Sequence, residues 1–217
     1  MACSQKGYII HHHYHHHYHN HHIIKSCKDN STIENPSEKH LAKAEAYQEN
    51  YNYKKSAKYY NKVLKDHKKT DGEDAYTTIK TIGALAGTYF DQGNFKKSEL
   101  MYKDLLQRSI ALYGEMDHCT LTTANNLCGV LKALGKFEEA ESLLEDCVRK
   151  SKIIHGDLAE DTLNSTNNLA SVYRVRCKFS SAIALLKDVV NKYKAMRGND
   201  TDDEGTSLII FINYILT

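Results

Sequence analysis

A step of 42 residues, repeated through most of the chain, leaves little freedom in what it can fold into. Gly72, Gly114, Gly156 and Gly198 stand 42 residues apart, and a second register at the same spacing holds Gly93, Gly135 and Cys177. Tyr53, Phe95, Phe137 and Phe179 keep the same step. So do Leu85, Leu127 and Leu169; Ala44, Ala86, Cys128 and Ala170; Tyr47, Tyr89, Leu131 and Tyr173; and Ser56, Ser98, Ala140 and Ala182. So many registers with one period do not arise by coincidence. A fixed period in this range marks a solenoid, whose units bury their apolar faces only by stacking on neighbours.

Inside one unit the apolar spacing is helical. Residues 121–134 place Ala124, Leu127, Cys128, Leu131 and Leu134 on one face, and residues 137–153 do the same with Phe137, Ala140, Leu143, Leu144, Cys147 and Val148. Each unit is therefore expected to be two antiparallel helices joined at Gly135-Lys136, where glycine suits the left-handed backbone that closes a helix. Gly156 ends the second helix, and acidic runs such as Asp157 to Asp161 lead into the next, where a carboxylate favours the positive helix end. Upstream, Asn35-Pro36-Ser37-Glu38 reads as a helix start, with Pro at the first helical position. The spacing predicts an all-α, right-handed α-solenoid of four helix hairpins at about 37–78, 79–120, 121–162 and 163–204. A His-rich leader over 1–34 is expected to be disordered, and 205–217 forms an apolar C-terminal segment.

Charge narrows the function. Lys and Arg number 29 against 27 Asp and Glu, so no field of one sign points to nucleic acid or an anionic membrane. The N-terminus lacks an apolar stretch of signal-peptide length, and Leu208 to Leu216 is too short to span a bilayer. A cytoplasmic protein with six free thiols is the expectation.

The order of small residue, Leu, small residue, aromatic, Gly-x-aromatic and Ala resembles the tetratricopeptide repeat, whose usual length is about 34 residues. Asp117-His118-Cys119-Thr120-Leu121 followed by Asn125-Asn126-Leu127, and Thr162-Leu163 followed by Asn167-Asn168-Leu169-Ala170, are similar to the 42-residue repeats of kinesin light chains and nephrocystin-like proteins. There an Asp-His-Pro-x-Thr-Leu segment precedes an Asn-Asn-Leu-Ala helix. Cys119 stands where that proline is usual, Cys177 where the joint glycine is, and the first unit lacks the Asn pair. No upstream segment resembles the heptad coiled coil that joins a kinesin light chain to its motor, so the resemblance does not extend to a kinesin subunit.

Stacked hairpins of this kind leave their first helices lining a concave wall suited to an extended peptide or a partner's helix. The face opposite the packed Leu and Tyr carries Glu38, Leu41, Glu45, Gln48 and Glu49 in the first unit, and Lys80, Gly83, Gly87, Phe90 and Asp91 in the second. It carries Thr122, Asn125, Gly129, Lys132 and Ala133 in the third, and Asn164, Asn167, Ser171, Arg174 and Val175 in the fourth. A ligand is expected to place basic residues near the acidic first unit and acidic residues near Lys132 and Arg174. The resemblance implies that Asn125 and Asn167 hold a ligand backbone, since one amide both donates and accepts; an Asn here can equally bond its own helix. Gly83, Gly87 and Gly129 either admit a ligand closely or allow tight helix packing.

Other chemistry is weaker. His11, His12, His13, His15, His16, His17, His19, His21 and His22 form a tract that would take Ni²⁺, Cu²⁺ or Zn²⁺, but no carboxylate or thiolate stands at fixed spacing to shape a site. Bland low complexity, metal buffering and a pH-responsive tether are its three readings, and a metal-handling protein is the rival to a scaffold. His118 beside Cys119 makes no metal pair, because adjacent residues do not both face one tetrahedral ion easily. Cys128 and Cys147 occupy small packing positions. No P-loop, GxSxG, HExxH or dinucleotide fingerprint is present, so a non-enzymatic interaction scaffold without cofactors is the expectation. The segment Leu208 to Leu216 is apolar on every face, which fits a cap, a self-association surface or the stub of a longer array.

Overall fold

A computed structural model of the chain describes residues 36–197. They form eight helices, and no strand occurs among the described residues: α1 Pro36–Glu49, α2 Tyr53–Thr70, α3 Tyr76–Asp91, α4 Phe95–Tyr113, α5 His118–Ala133, α6 Phe137–His155, α7 Glu160–Val175 and α8 Phe179–Arg197. The all-α solenoid expected from the period is what these residues build. α1 is described from Pro36 onward, and Asn35, read from the sequence as its cap, lies outside the described residues. In the later units each first helix begins three residues ahead of the boundary read from the period, at Tyr76, His118 and Glu160. The cause lies in the preceding residue: Ala75, Asp117 and Ala159 all take the extended conformation that a helix entry requires.

The turn inside each hairpin repeats atom for atom. The amide of Lys136 donates to the carbonyl of Leu131 at 2.9 Å, and Asn52 to Tyr47, Asn94 to Tyr89 and Lys178 to Tyr173 do likewise at 2.8 Å. This closure needs one residue with positive φ. Gly93 and Gly135 supply it at 78° and 74°, but Tyr51 and Cys177 occupy the same position at 55° and 58°, where a Cβ is disfavoured. Asn52 and Asn94 then cap the second helices, accepting from the amides of Lys55 and Lys97.

Small residues at the hairpin contact let the two helices approach. Ser56 and Ser98 are fully buried and donate to the carbonyls of Ala44 and Ala86. In the third unit the pair is inverted, with the Cys128 thiol facing the carbonyl of Ala140. One core runs through the stack, from Ile79 and Ile82 on α3, through Leu105, Leu127, Leu131 and Leu144, to Leu169 and Val172 on α7. Successive first helices α3, α5 and α7 touch one another, while the second helices α4, α6 and α8 make no comparable backbone approach and meet through long side chains such as Lys103 with Glu139. The first helices of the last three hairpins therefore share one wall of the stack, the inner wall.

Candidate functional site

The inner wall is built by the half-buried side of α5 and α7. Heptad-like spacing buries Leu121, Ala124, Leu127, Cys128 and Leu131 of α5 against the core, which leaves Asn125, Gly129 and Lys132 between core and open surface. α7 does the same with Asn167 and Ser171, and Arg174 is exposed at its end. Two side-chain bonds cross between the helices: the Asn125 amide nitrogen donates to the Ser165 hydroxyl at 2.6 Å, and the Lys132 ammonium to the Ser171 hydroxyl at 2.9 Å. Ser165 passes its own proton to the carbonyl of Asp161 in α7.

These bonds leave defined chemistry unspent. The carbonyl oxygen of Asn125 is buried and accepts no hydrogen bond from the described residues, a state that costs free energy unless something donates to it. Burial, and after it the charge of Arg174, hold the Lys132 ammonium below its ordinary pKa. Neither Lys132 nor Arg174 pairs with a carboxylate among the described residues, although most other cations of the last two units do. Asn167 is half-buried and makes no side-chain hydrogen bond to the described residues.

The glycines of the wall differ. A Cβ at Gly83 would lie 3.5 Å from Leu105 and one at Gly87 3.4 Å from the Tyr102 hydroxyl, so both face α4 at ordinary contact distance rather than open space. A Cβ at Gly129 would meet nothing within 4 Å. At the other end of the array Glu45 and Glu49 on α1 and Lys80 on α3 are exposed, and Gln48 accepts from the Tyr60 hydroxyl at 3.2 Å.

Fold similarity follows the same lines. Two tetratricopeptide repeat models match, over residues 78–118 and 119–195. The chain is a tetratricopeptide repeat protein. Its fold is similar to a kinesin light chain-like structure with nearly identical tetratricopeptide-like repeats from Podosopora anserina, at 18% identity and a TM-score of 0.70, covering 84% of this chain and 97% of that one. BtubC (BKLC) from P. vanneervenii is similar at 20% identity and a TM-score of 0.69, over 82% of this chain and 70% of that one. A Rap protein solved in complex with Competence and Sporulation Factor has 15% identity and a TM-score of 0.62, over 84% of this chain and 55% of that one. Among curated proteins nothing matches.

The remaining expectations divide. The four described cysteines are free thiols, with Cys128 and Cys147 buried; burial pushes the Cys128 thiol far up and that of Cys147 to about 12, which makes both inert at neutral pH. The His tract from His11 to His22 and the apolar segment Leu208 to Leu216 lie outside the described residues. No described helix is long and apolar enough to cross a membrane. His118 meets His155 of α6 and Asp161 of α7, a grouping that the sequence pattern did not reveal. Its residues are 37 and 43 positions from His118 and belong to two units, so no local motif announces it.

Proposed function

We propose that this protein is a non-enzymatic interaction scaffold whose inner wall binds an extended peptide segment of a partner protein. The observation that carries the reading is the pair Lys132 and Arg174, adjacent on the wall and without an acidic partner among the described residues, beside the unpaired carbonyl of Asn125. A ligand carboxylate at this point relieves both the burial of Lys132 and its repulsion from Arg174. A ligand backbone N–H supplies the donor that the Asn125 carbonyl lacks, and Asn167, one unit on, repeats the same amide chemistry 42 residues later. Glu45 and Glu49 at the first unit set the opposite preference there, so a ligand running along the wall carries basic residues near α1 and acidic residues near α5 and α7. Lys80 and Ser171 lie on the same wall and contribute further polar contacts.

Selection of a random extended-peptide library on the full chain tests this. The selected pool is expected to be enriched in acidic residues at one end and to lose affinity at least tenfold for an Asn125→Ala/Asn167→Ala chain. Peptides that bind both chains equally would place recognition elsewhere.

A further inference from the structure

We propose that His118, His155 and Asp161 form a zinc-binding site that clamps the third helix hairpin to the fourth. The junction between hairpins brings three positions together: the first residue of a first helix, the last residue of the second helix after it, and the second residue of the next first helix. Between the second and third hairpins these positions hold Tyr76, Tyr113 and Cys119, which lie close enough for Tyr76 and Cys119 to perturb the Tyr113 phenol. One step later they hold His118, His155 and Asp161. The same backbone geometry thus gathers an ordinary trio at one junction and three metal-ligating side chains at the next.

The distances suit one ion. His118 Nδ1 stands 3.0 Å from Asp161 Oδ2, and the two imidazoles lie edge to face with centroids 6.1 Å apart. One ligand atom from each of the three residues lies within 4.8 Å of the others. Around a tetrahedral zinc with bonds of about 2.0–2.1 Å, ligand atoms stand about 3.3 Å apart. The trio therefore closes by roughly 1.5 Å at most, a distance within reach of side-chain rotation for the exposed His118 and His155 and the half-buried Asp161.

The donor set selects the ion class. Two imidazoles and one carboxylate suit zinc and its neighbours, whereas calcium and magnesium want oxygen throughout. Three protein ligands leave a fourth position for water. The carboxylate supplies negative charge, and His155 closes α6, whose negative end favours a cation; the positive starts of α5 and α7 oppose it. Coordination bonds outweigh that opposition, which decays within one turn. The consequence is mechanical: α5, α6 and α7 become tied at one edge, and α5 and α7 are the helices that carry Asn125, Lys132 and Arg174.

The test uses the full-length chain with the nine histidines from His11 to His22 changed to Ser, so that the tract does not compete for metal. Titration of Zn²⁺ against a chromophoric chelator is expected to give one bound equivalent with low-micromolar or tighter affinity, together with a rise in melting temperature on adding Zn²⁺. His155→Ala, at an exposed helix end, and Asp161→Asn, which keeps a hydrogen-bond acceptor for His118, are each expected to weaken that equivalent at least tenfold and to abolish the melting shift. Absence of a tight equivalent in the parent, or the same affinity in both variants, overturns the site.

Discussion

Replacing Gly129 with alanine separates the stability of the inner wall from its use. Gly129 sits in the middle of α5 with no positive φ, so the residue gains nothing from its conformational freedom and carries the usual helix-interior penalty of about 1 kcal/mol relative to Ala. A methyl added there meets nothing within 4 Å, so no steric term offsets the gain. Gly129→Ala is therefore expected to stabilise the array by about 1 kcal/mol, a rise in melting temperature of roughly 2–4 °C for a domain of this size. The same change at Gly87, whose added Cβ would meet the Tyr102 hydroxyl at 3.4 Å with little room to spare, is expected to stabilise less. Binding should move the other way. The methyl protrudes between Asn125 and Lys132 into the space assigned to the ligand backbone, so affinity for a selected peptide falls while the fold gains. Urea denaturation followed by circular dichroism and fluorescence anisotropy with a labelled peptide read the two quantities on the same samples. A destabilised Gly129→Ala chain would contradict the open environment of α5, and unchanged peptide affinity would contradict passage of a ligand over that turn.

Cys177→Gly should raise stability by about 0.5–1 kcal/mol, because relief of a left-handed non-glycine residue exceeds the added freedom of glycine in the unfolded chain; thermal melts of the two chains check it, and an unchanged or lower melting temperature counts against strain at that turn. Glu141 is buried at 8% exposure at the contact between the last two hairpins and accepts from Lys178 at 2.6 Å and Arg176 at 2.7 Å. Burial alone would raise its carboxyl, but the two hydrogen bonds and charges outweigh that and hold it below its ordinary value of 4.5. A lowered carboxylate contributes stability that is present above 4.5 and is lost as pH falls through the folded-state value. Glu141→Gln is thus expected to cost about 1–2 kcal/mol at neutral pH and to flatten the loss of stability as pH falls below 4.5; urea midpoints that fall in parallel for both chains below that pH would contradict the assignment.

Much of the fold was legible because a solenoid writes its structure into a period. The glycines at 93 and 135 announced the hairpin turn, and the turn proves to be closed by the same backbone bond in all four hairpins. Tyr51 escaped the pattern since its side chain gives no sign that it holds the glycine position, and only its backbone angle reveals it. The helix starts at 76, 118 and 160 were misplaced by one turn because extended residues such as Ala75 and Ala159 carry no capping side chain to mark the entry. Helical spacing puts Asn125, Lys132, Asn167 and Arg174 on one face of their helices, but does not say which groups they meet. The partners Ser165 and Ser171 depend on how far α7 is shifted along α5, a packing quantity that a one-dimensional pattern does not contain. The trio of His118, His155 and Asp161 was hidden for the related reason that it joins the ends of three helices.

Lys132 and Arg174 are expected to receive an acidic stretch of a partner peptide. Anisotropy titration of an acidic peptide selected on the full chain, repeated with a Lys132→Glu/Arg174→Glu chain at two salt concentrations, measures this directly. The predicted result is at least a tenfold loss of affinity on charge reversal and a salt dependence that weakens with it. Equal affinity for both chains, with the same salt dependence, would contradict the claim.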